Sequence, residues 1–185
     1  LPAMFAFALV WSTAATSNLE GRSRLDSFLR NEWRANGFPS PPPDSGLVYD
    51  FVFDAPSHAW KPWMDTVEPY QHNPKLSFAE LIIPTKDTVR YKFLARTLLV
   101  NNKFVLMTGP TGTGKTVQLA ELLSSGMPKE YVPVNLTFSA QTSVNQTQDI
   151  IDSKMEKRRR GVYGPTAGTR YVLFVDDLNM PKKVR

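Results

Sequence analysis

The stretch that decides the fold is "GPTGTGKT", residues 109–116, which lies between the apolar "FVLM" and the helix-like "VQLAELL". Its glycines let the backbone adopt positive φ and approach a ligand with no Cβ in the way. Backbone N–H groups freed by such a turn point inward and form a concave site for an anion. Lys115 adds a full positive charge, and Thr116 adds a hydroxyl suited to a hard cation. The stretch therefore predicts a phosphate-binding loop.

The residues on either side place this loop between a strand and a helix, which is the context of a P-loop. "KFVLMTG" predicts a short buried strand, and "KTVQLAELLSSG" predicts a helix that ends at Gly126. The helix N-terminus adds unpaired N–H groups and a partial positive charge. A glycine-rich turn with no ligand is the alternative. The nucleotide-binding residues predicted here are Gly109, Pro110, Thr111, Gly112, Thr113, Gly114, Lys115, which faces the β- and γ-phosphates, and Thr116, which faces Mg²⁺.

Strand and helix patterns alternate from residue 78 onward. "FAELIIPT" predicts an extended segment, and "KDTVRYKFLARTLLVNN" predicts an amphipathic helix with Thr85 as its N-cap. "YVPVNLTFS" predicts a strand, "TSVNQTQDIIDSKMEKRRR" a helix that ends in positive charge, and "GVYGPTAGT" a loop or hairpin. "RYVLFVDDLNMP" predicts a third strand. Such alternation predicts an α/β fold, a P-loop NTPase sheet of parallel strands with flanking helices.

Two carboxylates end the third strand, Asp176 and Asp177. A buried strand delivers its last residues to the carboxyl edge of a parallel sheet, where the P-loop also lies. Asp176 is the candidate to hold Mg²⁺ through water, and Asp177 is the candidate catalytic carboxylate that orients the attacking water. The alternative is a pair of aspartates that caps the following turn.

The first part of the chain has a different character. "AMFAFALVWSTAA" and "LDSFLRNEWRANG" predict helices, the second ending at Gly37. A proline-rich and aromatic stretch follows, in which "LVYDFVFD" predicts a short strand. Trp60 and Trp63 suit either a ligand platform or the packing of a loop, and packing is the favoured interpretation. The predicted domains are a helical segment 1–37, a connector 38–77 and a P-loop domain 78–185.

Composition excludes several classes of protein. The 185 residues include no cysteine and two histidines, which rules out disulfides and thiolate metal sites and disfavours a histidine metal cluster. The net charge of +5 is concentrated in a short run, residues 154–160, and at the end of the chain. No basic helix interleaved with stacking aromatics and no zinc-finger spacing is found, so nucleic acid is not an expected partner and a solvated surface is the favoured interpretation.

The opening segment does not predict a membrane anchor. Its apolar run, residues 4–11, is shorter than the roughly 20 residues that span a bilayer. It has neither an initiator Met nor a basic start, which disfavours a signal peptide. The sequons at Asn135 and Asn145 carry no expectation of glycosylation in a nucleotide-binding protein of the cell interior.

Several motifs together resemble the AAA+ modules of dynein heavy chains, of the axonemal type. "LMTGPTGTGKT" and "LFVDDLNMP" are joined by "PTKDTVRY" and "RRRGVYGP", a combination far more specific than the P-loop alone. "FAFALVWSTAATSNLEGRSRLDSFLR" is similar to the end of the second module. "GLVYDFVFD" and "WKPWMD" are similar to the connection into the third. The resemblance covers essentially the whole chain.

The resemblance implies a microtubule motor with a ring of six AAA+ modules, ATP or ADP with Mg²⁺ as ligands, and minus-end-directed movement. By position, residues 109–116 are Walker A and Asp176-Asp177 are Walker B. Ile83, Pro84 and Thr85 lie where family members pass the adenine, and ATP over GTP is likewise implied by the resemblance alone. The implied partners are other modules of the heavy chain, intermediate and light chains, and microtubules, with no nucleic acid or membrane. The implied location is the cytoplasm and cytoskeleton, in the axoneme of a cilium or flagellum.

Two departures limit the expected activity. Most active AAA+ enzymes have Glu where Asp177 stands, so the carboxylate lies about 1.5 Å farther back, a displacement that can cost about 100-fold in rate. The sensor residues, lid subdomain and arginine finger are expected beyond Arg185 or on another module, so the isolated chain is expected to be a very poor ATPase. A slow or gating site is favoured. A non-hydrolysing structural module and an unrelated P-loop enzyme, such as a nucleotide kinase, are the alternatives.

Overall fold

The computed structural model describes residues 1–70 and 83–182. They form two compact units, Leu1–Tyr91 and Lys92–Arg185. Within the described residues, no helix is both long and apolar enough to cross a membrane.

The N-terminal unit begins with the two predicted helices, α1 (Pro2–Thr13) and α2 (Leu19–Ala35). Helix α2 starts earlier than the pattern indicated, because the Asn18 side-chain oxygen accepts a hydrogen bond from the Gly21 N–H (2.8 Å) and caps the helix. It ends as predicted, with Gly37 at φ +61° just beyond its last turn.

A hairpin follows, formed by β1 (Phe51–Asp54) and β2 (Ala59–Pro62), which pair antiparallel. The predicted strand "LVYDFVFD" is correct only in its second half, because Val48–Asp50 forms a 3₁₀ turn. In that turn the Asp50 carboxylate accepts a hydrogen bond from the Leu47 N–H (3.0 Å).

The core of this unit is aromatic. Trp11 lies edge-on to Tyr49 and to Trp63, with ring centroids 5.4 and 6.2 Å apart. Trp63 is 1% exposed, and its indole N–H donates to the Tyr49 carbonyl (2.8 Å). Trp60 instead donates to the Ser40 carbonyl (3.0 Å) and so holds the proline-rich loop. The interpretation that both tryptophans serve packing is confirmed.

Helix α3 (Lys86–Val100) continues from the first unit into the second. The second unit then contains α4 (Lys115–Glu121), a π-helical turn Leu122–Gly126, β3 (Tyr131–Thr137) and α5 (Val144–Lys154). Strands β4 (Glu156–Arg159), β5 (Val162–Gly164) and β6 (Arg170–Asp176) complete it. Strands β3 and β6 pair in parallel, from Tyr131 opposite Arg170 to Thr137 opposite Asp176. The predicted parallel sheet is thereby confirmed.

Two sequence-based expectations are wrong, and a third concerns a segment that lies mostly outside the described residues. Residues 103–109 form no strand, since they join no hydrogen-bonded ladder among the described residues, and Phe104 is fully exposed. Strand β6 is half-buried rather than buried, with Leu173 41% exposed. Most of the predicted segment "FAELIIPT" lies outside the described residues, and its last three residues, 83–85, have no regular structure.

The helix predicted over "TSVNQTQDIIDSKMEKRRR" is too long, although it does end in positive charge, at Lys154. Helix α5 ends at Lys154, and the residues after it form β4, which pairs antiparallel with β5. Gly161, at φ +73°, supplies the left-handed backbone of the tight connection between these strands. The loop or hairpin predicted from "GVYGPTAGT" is thus one strand of a hairpin and the turn after it.

Candidate functional site

The glycine-rich loop is shaped by its backbone. Gly112 and Gly114 have φ of +78° and +76°, in the left-handed region that favours glycine. A Cβ at Gly112 would meet nothing within 4 Å, so conformation and not space requires glycine there. The Thr113 hydroxyl braces the turn by donating to the Pro110 carbonyl (2.9 Å). The loop leads directly into α4, whose first residue is Lys115.

Lys115 lies over its own loop. Its ammonium group donates to the carbonyls of Gly109 (3.0 Å) and Pro110 (2.7 Å). An ammonium group has three donors, and the third contact of Lys115 is the longest, 3.5 Å to the Thr113 hydroxyl. An external acceptor could replace that weakest contact while both carbonyls stay engaged. The charge is therefore held at the mouth of the loop, where it can neutralise a phosphate oxygen.

Thr116 and Asp176 are brought together although 60 residues separate them. The Thr116 hydroxyl, in the first turn of α4, donates to Asp176 Oδ1 at 3.1 Å. Asp176 is the last residue of β6 and stands at the carboxyl edge of the β3–β6 sheet. The arrangement places a hydroxyl oxygen and a carboxylate oxygen where one cation could contact both.

Asp177 has a feature that the sequence did not indicate. Its φ of +53° lies in the left-handed region, where Asp is tolerated better than most residues. Its N–H donates to Asp176 Oδ1 (3.1 Å), and its carbonyl accepts from the Met180 N–H (2.9 Å). Asp176 Oδ1 therefore receives two hydrogen bonds, and Asp177 begins a turn through its backbone while its side chain is exposed.

The donor set fits magnesium bridged to a nucleotide better than a metal held by protein alone. Among residues 1–70 and 83–182, no group of three or more His, Cys, Asp or Glu side chains could hold a metal ion. Mg²⁺ prefers oxygen ligands and usually takes one or two from the protein, with phosphate and water supplying the rest. Thr116 and Asp176 match that pattern.

Gln118 is a further residue at the loop that sequence reasoning missed. Its side-chain amide nitrogen lies 3.4 Å from the Thr113 carbonyl. Its amide oxygen is buried without a hydrogen-bond partner in the described part of the chain. The only signal in the sequence is a polar residue one turn after Gly114, which many exposed helices also show.

The predicted adenine segment, Ile83, Pro84 and Thr85, belongs to the N-terminal unit. Ile83 is 58% exposed. Thr85 caps α3 as predicted, since its hydroxyl accepts from the Thr88 N–H (3.2 Å) and its own N–H donates to the Thr88 hydroxyl (2.8 Å). The contact of this segment with a base stays a prediction.

Comparison with known families divides the chain into two matched regions. Residues 70–184 match the family described as P-loop containing dynein motor region. Residues 1–65 match the dynein heavy chain AAA lid domain.

Individual relatives agree with these matches. Dynein axonemal heavy chain 1 of Mus musculus is 42% identical over 193 residues, which cover 96% of this chain and 4% of that protein. Dynein axonemal heavy chain 3 of Homo sapiens is 40% identical over 99% of this chain and 5% of that protein. Dynein axonemal heavy chain 12 of Mus musculus is 37% identical over 97% of this chain and 6% of that protein. The chain thus spans a small fraction of the length of these relatives. On this evidence it belongs to the dynein heavy chain family.

Proposed function

We propose that the chain is an ATP-binding AAA+ module of a dynein motor heavy chain. Through the motor it contributes to ATP-driven, minus-end-directed movement along microtubules in cilia or flagella. The observation that carries the proposal is the 3.1 Å contact between the Thr116 hydroxyl and Asp176 Oδ1, formed beside a glycine-rich loop that holds Lys115. A P-loop and a strand-end carboxylate so close together suit one triphosphate and one Mg²⁺.

Each residue then has a separate task. The backbone N–H groups of Gly109 and of residues 111–114 bind the phosphates together with the Lys115 ammonium, while Pro110, which has no N–H, only shapes the loop. Thr116 and Asp176 would hold Mg²⁺, which would neutralise charge on the phosphates. Ile83, Pro84 and Thr85 contact the adenine. Asp177 orients the attacking water. Its short side chain makes hydrolysis slow, which suits a site that gates communication between modules better than one that drives the stroke.

The proposal includes the domain organisation of the chain and the partners of the motor. Residues 1–37 belong to the end of the preceding module, and residues 78–185 form the nucleotide-binding subdomain of the next. Residues 38–77 connect the two. The module packs against other AAA+ modules of its heavy chain, and the motor binds intermediate and light chains and microtubules. The axonemal names of the relatives support a location in the axoneme.

A second candidate is a structural module that binds nucleotide and never hydrolyses it. The left-handed backbone and turn at Asp177 favour this candidate, because they give Asp177 a conformational task that needs no catalysis. Turnover of an Asp177 variant separates the two candidates.

Titration with a fluorescent ATP analogue, with and without Mg²⁺, tests nucleotide binding. We expect Lys115→Ala to abolish binding in both conditions, since the loop then has no full positive charge facing the phosphates. Lys129→Ala, which removes an exposed lysine of the same unit, is the matched control and should bind as the parent does. Binding by Lys115→Ala at the parent's affinity would contradict the proposal.

A further inference from the structure

Among residues 92–182, a cluster of uncompensated positive charge lies on the β4–β5 hairpin, residues 154–164, here called the basic hairpin. All four residues of β4 are exposed. The basic hairpin contains Lys154, Lys157, Arg158, Arg159 and Arg160. None of these five forms an ion pair with a carboxylate of residues 1–70 or 83–182. Its one acidic residue, Glu156, accepts a hydrogen bond from the Thr166 hydroxyl (2.8 Å). The hairpin therefore carries a concentrated positive charge toward solvent.

The basic hairpin also has an open edge. Strands β4 and β5 form a sheet of their own, and within the described ranges no third strand pairs with either. The outer side of β4 thus presents N–H and C=O groups that an extended peptide can pair with. Lysine and arginine on such an edge repel a second copy of the same strand, but they favour a strand that carries carboxylates opposite them.

The pairing register places an exposed apolar side chain beside each of two cations. Lys157 is opposite Tyr163, which is 57% exposed, and Arg159 is opposite Val162, which is 38% exposed. A bulge between Lys157 and Arg159 interrupts the register. Charge and apolar surface are therefore mixed along a short strand edge, as in surfaces that take extended peptides.

We propose that the basic hairpin binds an extended acidic segment of a polypeptide, which adds to the β4 edge with Asp or Glu side chains facing Lys157 and Arg159. Nucleic acid would satisfy the charge, but it cannot pair with a strand edge, and Tyr163 is the hairpin's single aromatic for base stacking. The positive charge of the hairpin favours a negatively charged partner, and the open strand edge favours a polypeptide. This surface acts independently of the nucleotide site.

Fluorescence anisotropy with three labelled probes tests the proposal on the whole chain. The first probe is a peptide of alternating Glu and Thr, the second is the same peptide with alternate amides N-methylated, and the third is a single-stranded oligonucleotide of equal charge. We expect the first to bind, the second to bind about tenfold more weakly because it cannot form the ladder, and the third to bind more weakly than the first.

Charge reversal locates the surface. The double substitution Lys157→Glu and Arg159→Glu should weaken peptide binding at least about tenfold. The control pair Lys103→Glu and Lys129→Glu makes the same change in net charge at exposed lysines outside the hairpin and should leave binding unchanged. Circular dichroism checks that both variants fold, and Lys157→Gln with Arg159→Gln provides a milder second pair. Tighter binding of the oligonucleotide, equal binding of the methylated peptide, or equal effects of the two charge-reversed pairs would each overturn the proposal.

Discussion

At the scale of single residues, the second carboxylate of the pair is the most informative. Asp177 combines a short side chain with a left-handed backbone whose N–H supports Asp176. The two properties make different demands: length matters for orienting water, whereas left-handed φ favours Asp or Asn over longer side chains. Substitutions can change one property and keep the other.

Asp177→Glu in the full-length motor should raise ATP turnover and lower stability together. The longer side chain moves the carboxylate forward by about 1.5 Å, while the left-handed backbone makes Glu less favourable by about 1 kcal/mol. Phosphate release measures the first effect and thermal unfolding the second.

Asp177→Asn is the matched control, since it keeps the short side chain and removes the charge. Its stability should match the parent's and its turnover should fall. Unchanged turnover in Asp177→Glu would show that carboxylate length does not limit hydrolysis, which would favour the non-hydrolysing module.

Thr116→Val should remove most of the effect of Mg²⁺ on nucleotide binding. The variant loses the hydroxyl that lies 3.1 Å from Asp176 Oδ1 but keeps Lys115 and the loop. We expect affinity in Mg²⁺ to fall about 10- to 100-fold and affinity in a chelator to stay unchanged, as measured by titration of the fluorescent ATP analogue. Thr147→Val serves for comparison, since the Thr147 hydroxyl donates to the carbonyl of Ser143, the N-cap of α5. An equal loss with and without Mg²⁺ would place Thr116 in phosphate binding alone.

At the scale of elements, one buried arginine joins α2 to the proline-rich loop. Arg30 donates to the carbonyls of Pro42 (3.2 Å), Pro43 (2.9 Å) and Gly46 (2.7 Å). It also pairs with Asp26 (3.0 Å) and Asp44 (2.7 Å), while its own side chain is 10% exposed. Proline has no N–H, so a loop with consecutive prolines forms few backbone hydrogen bonds. The hydrogen bonds from the Arg30 guanidinium group hold the loop instead of backbone hydrogen bonds.

Arg30→Met should destabilise the N-terminal unit by about 3 kcal/mol. The substitution leaves the largely buried Asp26 carboxylate without its cation, with only the Val48 N–H still donating to it, and it leaves several carbonyls without a donor. Arg34→Met provides the contrast. Arg34 also pairs with Asp44 (3.1 Å), but its side chain is 65% exposed, so we expect a loss of at most about 0.5 kcal/mol. Urea unfolding followed by tryptophan emission measures both. Equal effects of the two substitutions would show that the buried network adds no more to the free energy of unfolding than an exposed ion pair does.

At the scale of the whole molecule, the aromatic residues are unevenly distributed. All four tryptophans lie in the unit Leu1–Tyr91, so tryptophan emission reports the unfolding of that unit. Tyr49, at its centre, is 0% exposed, and its hydroxyl donates to the Ala14 carbonyl (3.1 Å). Burial raises the pKa of Tyr49 above its ordinary value, although the neighbouring Arg22 opposes the shift.

The free energy of unfolding of this unit should therefore fall as the pH rises above about 10. The phenol ionises in the unfolded chain at its ordinary pKa but stays protonated in the folded unit, so the contribution is complete below that pH and is lost above it. Urea titrations at about pH 8 and about pH 10.5 measure the loss. Tyr49→Phe should show a smaller loss, and Tyr163→Phe, which changes an exposed tyrosine of the other unit, should behave as the parent. A Tyr49→Phe variant with the parent's full pH dependence would exclude Tyr49 as the cause.

Features of the fold that depend on interactions between near neighbours in the sequence could be predicted from the sequence. The helices α1 to α5, the strands β3 and β6 and the Thr85 cap could all be predicted, because apolar periodicity and capping residues act within a few positions along the chain. The glycine spacing likewise predicted the position of the loop, since left-handed φ at Gly112 and Gly114 is a local property of glycine.

Other features depended on partners far away in the chain. Residues 103–109 have the composition of a buried strand, but a strand exists only where a neighbour accepts and donates its hydrogen bonds. The run that begins at Glu156 has strong helix formers, yet pairing with residues 162–164 makes it β4. Tertiary context overrides propensity in both places.

The sequence by itself determined which groups are present: a loop of glycines, an ammonium group, a hydroxyl and two carboxylates, each at a place set by local spacing. Only the tertiary structure decided that the Thr116 hydroxyl meets the Asp176 carboxylate. The reason is that such contacts depend on the register of β6 against β3 and on how α4 meets the edge of their sheet. No pattern within a few neighbouring residues contains that information.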